Sequence, residues 1–141
     1  MKSVKITILQ RRPLVKNFSR QRQAVIDVLC STKTHPSAAW IYEKVRETIP
    51  NISLGTVYRN LALLESEGII RKVSVGDSSE HFDGDTSMHS HFYCKGCKQI
   101  TDIPFDTTDD CKKLEEKTGL SVESATYTFV GVCTNCNKNK N

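Results

Sequence analysis

Apolar positions in the first half of the chain recur at three- and four-residue spacing, and three such stretches follow one another. In "SRQRQAVIDVLC" Val25, Val28 and Leu29 share one helical face behind Ser19, a capping residue. "SAAWIYEKVRETI" repeats the pattern, with Ser37 ahead of it, Ala38, Ile41, Tyr42 and Val45 facing inward, and Pro50 as the stop. In "SLGTVYRNLALLESEGI" Ser53 offers the cap, Leu54, Val57, Leu61 and Leu64 form the buried stripe, and Gly68 supplies a left-handed end. Beyond Gly68 the helical pattern stops. Ile69, Val73 and Val75 in "IIRKVSVGDSSEHFD" lead into a Gly-Asp turn, which predicts a hairpin. Three helices followed by a hairpin is the order of a winged helix.

From about Asp83 the patterning is different. "HSHFYC" and "KQITDIPF" read as short strands, "DTTDDCKKLEEKTG" as a helix with acidic residues in its first turn and Gly119 as its stop, and "SVESATYTFVGVC" as a strand. The expected class is therefore α+β. A winged helix with a basic leader occupies residues 1–82, and a small α/β domain occupies residues 83–141.

Composition narrows the class of function. The chain has 141 residues, 38% hydrophobic and 26% charged, enough to bury a core and too apolar for wholesale disorder. No apolar run approaches a membrane span, and "ITIL" is too short for the core of a signal peptide, so a cytoplasmic protein without a membrane partner is expected. In that compartment six cysteines are expected to bind metal rather than form disulfides. The net charge is +4, and between Lys2 and Arg22 every charged residue is basic: Lys2, Lys5, Arg11, Arg12, Lys16, Arg20 and Arg22.

That basic run fits either a solvated terminus or a polyanion partner. The outer face of the third predicted helix carries Gly55, Thr56, Tyr58, Arg59 and Asn60, small and hydrogen-bonding groups that fit a major groove but also an ordinary amphipathic helix. The winged-helix context favours double-stranded DNA. The candidate contacts are Ser53, Thr56, Tyr58, Arg59 and Asn60, with Arg22 and Lys16 from the basic segment. A zinc-stabilised module whose winged helix contacts protein is the alternative.

Two sets of metal donors can be separated in "MHSHFYCKGC". Cys94 and Cys97 form one Cys-x-x-Cys pair, and Cys133 and Cys136 form another, matching a closed four-thiolate structural zinc site. A thiol redox pair needs only one of them. Cys30 and Cys111 stand alone in helical patterns and are expected to pack. His89 and His91 are then free for a second ion, and on a strand both rings face the same side. Candidate companions are Asp83, Asp85, Asp102 and His35, a nitrogen and oxygen set that suits iron, manganese or zinc. An enzyme built on such a site is the competing class, against which the number of protein ligands counts.

Five separated motifs, "HPSAAWIYEKV", "PNISLGTVYRNLALLESEGII", "GDSSEHFD", "HSHFYCKGC" and "VGVCTNC", resemble the ferric uptake regulator family of metal-dependent repressors over nearly the whole chain. The resemblance implies a winged-helix domain joined to a dimerisation domain, a homodimer, and a metal at the hinge that shapes the dimer for an inverted-repeat operator. The chain is most similar to the peroxide-responsive branch. There the regulatory Fe2+ or Mn2+ is held by three histidines and two aspartates, which fall on His35, Asp83, His89, His91 and Asp102. Relatives that sense iron or zinc more often present glutamate at Asp83 and Asp102. By resemblance peroxide oxidises His35 or His89 and the repressor leaves DNA; an iron- or manganese-responsive repressor without that step is the alternative. Met88 and Ser90 beside His89, and "ESATYTF" without a histidine, imply that a further metal site of the iron and zinc sensors is missing. His81 stands where an arginine is commoner and is read as a wing or hinge residue, and "RRPLVKN" departs from the usual approach to the first helix.

Overall fold

The computed structural model describes residues 19–139; of the basic run, Lys2, Lys5, Arg11, Arg12 and Lys16 lie outside the described residues. The described parts of Met1–Val73 and Ser79–Thr86 form one compact unit, and those of Ser74–Ser78 and Ser87–Asn141 form a second.

The first unit contains α1 (Arg20–Cys30), α2 (Ala38–Arg46), α3 (Leu54–Ser66), β1 (Arg71–Val73) and β2 (His81–Asp83). Each helix starts where a serine can serve it. The hydroxyls of Ser19, Ser37 and Ser53 accept from the backbone N–H of Arg22, Trp40 and Thr56. A cap of this kind contributes about 1 kcal/mol. α3 ends as expected, with Gly68 at φ 69°. Val25, Leu29, Ile41, Val45, Val57, Leu61 and Leu64 meet in one core, joined by Ile70 and by Phe82 of the hairpin.

Several sequence expectations for these helices need correction. Leu54 is 40% exposed, because the first residue of α3 projects beyond the core, and Asn60 occupies a buried place on the inner face with Val57, Leu61 and Leu64. α2 stops at Arg46, short of Pro50, in a turn closed by Ile49 N–H on the Val45 carbonyl. Val28 and Tyr42 are only partly buried. Cys30, expected to pack, is exposed at the end of α1.

β1 and β2 pair antiparallel around the Gly76–Asp77 turn, in a register that sets Val73 against His81 and Arg71 against Asp83. β2 also anchors the segment before α2. Phe82 N–H donates to the Pro36 carbonyl, and Ser37 bridges to His81.

The second unit contains β3 (Ser90–Cys94), β4 (Ile100–Ile103), α4 (Thr108–Thr118), β5 (Thr128–Gly131) and α5 (Thr134–Lys138). The sheet order is β4-β3-β5, with β3 antiparallel to β4 and parallel to β5. The predicted strand over residues 121–133 shrinks to four residues, and α5 was not foreseen. α4 ends on Gly119 at φ 72° and buries none of its side chains. Leu114 and Leu120 are exposed with Phe105, Tyr127, Phe129 and Val130. Among the described residues no helix is long and apolar enough to cross a membrane.

Candidate metal centres and nucleic-acid face

The four cysteines converge within the second unit. Their sulfurs lie within 4.8 Å of one another, and Cys97 Sγ is 3.9 Å from Cys133 Sγ. Zn–S bonds of about 2.3 Å in a tetrahedron place sulfurs roughly 3.8 Å apart, so the donor set fits zinc. Cys94 and Cys97 bracket the turn that leaves β3, and Lys98 just after it takes φ 63°. Cys133 caps α5, its sulfur accepting from Cys136 N–H. A short helix therefore sets the second pair, as the turn sets the first. Gly96 is required by the approach of the pairs, because a Cβ there would meet Cys136 Sγ at 2.9 Å.

The thiols do not ionise alike. Backbone N–H groups of Cys133 and Cys97 point at Cys94 and lower its pKa to about 6. Cys136 is raised to about 12, first by its hydrogen bond with Cys133 and then by burial and the other two thiols. The backbone donors thus favour the thiolate at Cys94, whereas the neighbouring sulfurs and burial oppose it at Cys136.

The histidines and aspartates are prepared separately in each unit. In the first, His35 Nε2 lies 3.3 Å from Asp83 Oδ2, and both side chains are buried. His35 has φ 54°, an uncommon conformation for a residue with a Cβ. His81 Nδ1 lies 3.1 Å from the His35 carbonyl, and because that oxygen can only accept, Nδ1 carries the proton. His81 is thus a backbone anchor beside the site. Asp83 Oδ1 accepts from Asp85 N–H at 2.8 Å, which gives Asp85 a supporting contact through its main chain.

In the second unit the β3–β4 register puts His91 opposite Asp102. Asp102 Oδ1 lies 3.2 Å from His89 Nε2 and 3.6 Å from His91 Nε2. The two rings meet edge to face at 4.7 Å, on one side of the chain as the alternation of a strand requires. His89 Nδ1 is 2.9 Å from the Ser87 carbonyl, which makes Nδ1 the protonated nitrogen and leaves Nε2 as donor to a cation. Two nitrogens and a carboxylate oxygen therefore converge here, and a nitrogen and a carboxylate oxygen in the first unit. Each group is a partial set for a divalent ion.

On α3, Thr56, Tyr58 and Arg59 face outward, with Tyr58 46% exposed. Ser53 and Thr56 hydroxyls are 2.9 Å apart, and Arg59 Nη2 donates to Thr56 Oγ1 at 3.0 Å, laying the guanidinium along the first turn. Asn60 faces inward. Its amide donates to the Thr56 carbonyl, and its oxygen accepts from Arg22 Nε at 3.5 Å, tying the start of α1 to α3.

Arg71, whose side chain is beside Asp83, escaped the sequence reading. The signal was available in the hairpin, since a register centred on Asp77 pairs Arg71 with Asp83.

Replacing Cys94 or Cys136 with serine should remove most of the zinc from the purified chain and lower its melting temperature by well over ten degrees, on the order of the loss expected when a structural zinc site is broken. Metal analysis together with a thermal melt measures both. Full zinc content in either variant would contradict the four-thiolate site.

Comparison with known proteins places the chain. Residues 15–130 match the model of the Ferric uptake regulator family. The peroxide operon regulator of Bacillus subtilis is 34% identical over 122 residues, 86% of this chain and 84% of that protein. The peroxide-responsive repressor PerR of Staphylococcus aureus is 36% identical over 117 residues, 82% of this chain and 79% of that protein. Among solved structures, the Campylobacter jejuni peroxide stress regulator aligns with a TM-score of 0.73 at 28% identity, covering 82% of this chain and 88% of that one. The Helicobacter pylori ferric uptake regulator Fur, described as having three functional metal binding sites, aligns at 0.77 and 26% identity over 97% of both chains. The chain belongs to the ferric uptake regulator family, whose members are metal-responsive, DNA-binding and dimeric transcriptional regulators rather than enzymes.

Proposed function

We propose that this chain is a repressor that senses hydrogen peroxide through one exchangeable Fe2+ or Mn2+ held by His35, Asp83, His89, His91 and Asp102, with Zn2+ on the four cysteines as structural metal. The observation that carries the reading is the convergence of Nε2 and carboxylate oxygens in both units, His35 with Asp83 and His89 with His91 and Asp102. The peroxide-responsive names of relatives at 34–36% identity support the choice of stimulus.

The working of such a site follows from where the ligands lie in the chain. His35 and Asp83 lie in the unit that carries α3, and His89, His91 and Asp102 in the unit that carries β3 and β4. An ion that took all five would favour the arrangement in which both donor sets reach it, by the difference in its affinity between arrangements. Bound Fe2+ would supply the redox chemistry here: overall, one hydrogen peroxide would pass one oxygen atom to a ring carbon of a ligand imidazole, with water as the other product. His35 and His89 are the oxidation targets. An imidazole that has gained oxygen is a poorer donor, the ligand sets part, and DNA is released.

The DNA face in this reading is the outer side of α3. Arg59 reads bases, Thr56, Tyr58 and Ser53 hold phosphates, and Asn60 acts from inside by holding Arg22 for the backbone. Lys16 contributes from the basic leader. Phe105, whose ring is edge-on to Tyr127 and Phe129 at 5.6 and 5.3 Å, forms with those two exposed rings the face on which a second copy packs. A symmetric dimer carries two copies of α3, so the operator is an inverted repeat. The domains in this reading are residues 1–82 for DNA and 83–141 for metal and dimerisation, in the cytoplasm.

Brief peroxide treatment of the Fe2+-loaded protein should add one oxygen to the peptide containing His35 or His89 and abolish operator binding, with the Mn2+-loaded protein unchanged, as peptide mass spectrometry and gel shift can show. Unmodified histidines together with metal-dependent DNA binding would leave an iron- or manganese-responsive repressor without an oxidative step. Arg59→Ala should weaken operator binding by roughly ten- to a hundredfold, the range of one good base contact, and random duplex far less. Equal losses on both duplexes would exclude base readout by Arg59.

A further inference from the structure

The hairpin places a permanent cation beside a proposed metal ligand. Arg71 and Asp83 are strand partners, and Arg71 Nε lies 3.5 Å from Asp83 Oδ2, the same oxygen that faces His35 Nε2 at 3.3 Å. The Asp83 side chain is 8% exposed and that of Arg71 24%. A carboxylate this deep stays charged only with a compensating cation or strong donors. Its Oδ1 has the Asp85 N–H, and its Oδ2 has the guanidinium.

We propose that Arg71 is the resident counter-ion of Asp83 and sets the affinity of the regulatory site downward, so that a divalent ion shares Oδ2 with a charge already there. The inference deepens the assignment of Asp83 as a metal ligand and rests on it. A group next to a ligand can act in two opposite ways. By orienting the ligand it strengthens metal binding, and by adding like charge it weakens it. Here orientation is already supplied by the Asp85 N–H and by strand pairing, so the charge decides. The guanidinium has a second consequence: it stabilises the ion-free unit, which reduces what an incoming ion gains. Together these effects keep the site exchangeable while four thiolates keep zinc.

The test uses the full zinc-loaded chain, with Mn2+ as probe and free Mn2+ followed by its electron paramagnetic resonance signal at fixed pH. Arg71→Met should bind Mn2+ about tenfold more tightly, the order expected for removing one partly screened like charge. Arg71→Gln, which keeps an N–H donor without the charge, should do the same and stands in if the methionine variant does not fold. Arg71→Lys should stay within about twofold of the parent. Melting temperatures give an independent readout. The ion-free Met and Gln variants should melt lower than the parent, and Mn2+ should raise their melting points by more. Unchanged or weaker Mn2+ binding in both uncharged variants would overturn the proposal. Asp83→Ala separates the two layers. If it binds Mn2+ like the parent, the ligand assignment fails; if it loses binding while the Arg71 variants are no tighter, only the role of Arg71 fails.

Discussion

A buried carboxylate or a crowd of thiolates has to be compensated by positive charge, and that requirement organises this molecule. The sulfurs of Cys94, Cys97, Cys133 and Cys136 lie within 4.8 Å of one another, closer than four thiolates tolerate without a compensating charge. Asp83 is buried with an imidazole and a guanidinium around one oxygen. In both places the backbone brings the donors together, and at Asp83 the guanidinium of Arg71 already supplies positive charge. The two places differ in hardness and closure. Four sulfurs satisfy a tetrahedral ion completely, whereas nitrogen and oxygen donors suit an ion that comes and goes.

Small pieces of backbone do the positioning. His35 is held at positive φ, with its carbonyl fixed by His81 and its neighbour Pro36 by Phe82 N–H. The β3–β4 register presents Asp102 to His91, and the Ser87 carbonyl fixes the tautomer of His89. Gly96 lets two loops approach to sulfur–sulfur distance. The same economy governs α3, where Ser53 starts the helix and Thr56 steers Arg59, so the exposed arginine is partly ordered before it meets a partner.

Much of this was legible from residue order because the chemistry is local. Cys-x-x-Cys spacing, His-x-His on a strand, capping serines and left-handed glycines each carry their meaning within a few residues, and the three-helix unit followed from periodicity. What escaped depends on tertiary context. Leu54 stays outside the core while Ile52 and Val57 on either side of it are buried, and Asn60 enters it, a choice that tertiary packing makes and periodicity does not. The parallel pairing of β5 with β3 and the single turn of α5 depend on the second pair of cysteines returning to the first, which no short-range pattern encodes. Arg71 lay within reach of a hairpin register argument, but its partner is twelve residues away.

The proposed regulatory site draws one ion's ligands from His35, Asp83, His89, His91 and Asp102. Counting exchangeable Mn2+ on the zinc-loaded chain, alone and with His35→Ala or His91→Ala, tests it most directly when operator binding is followed on the same samples. The account predicts one Mn2+ per chain in the parent, and loss of that same ion and of metal-dependent DNA binding in either variant. If His35→Ala keeps its Mn2+ with the parent's affinity while His91→Ala loses it, the two donor sets do not share an ion and the account is wrong.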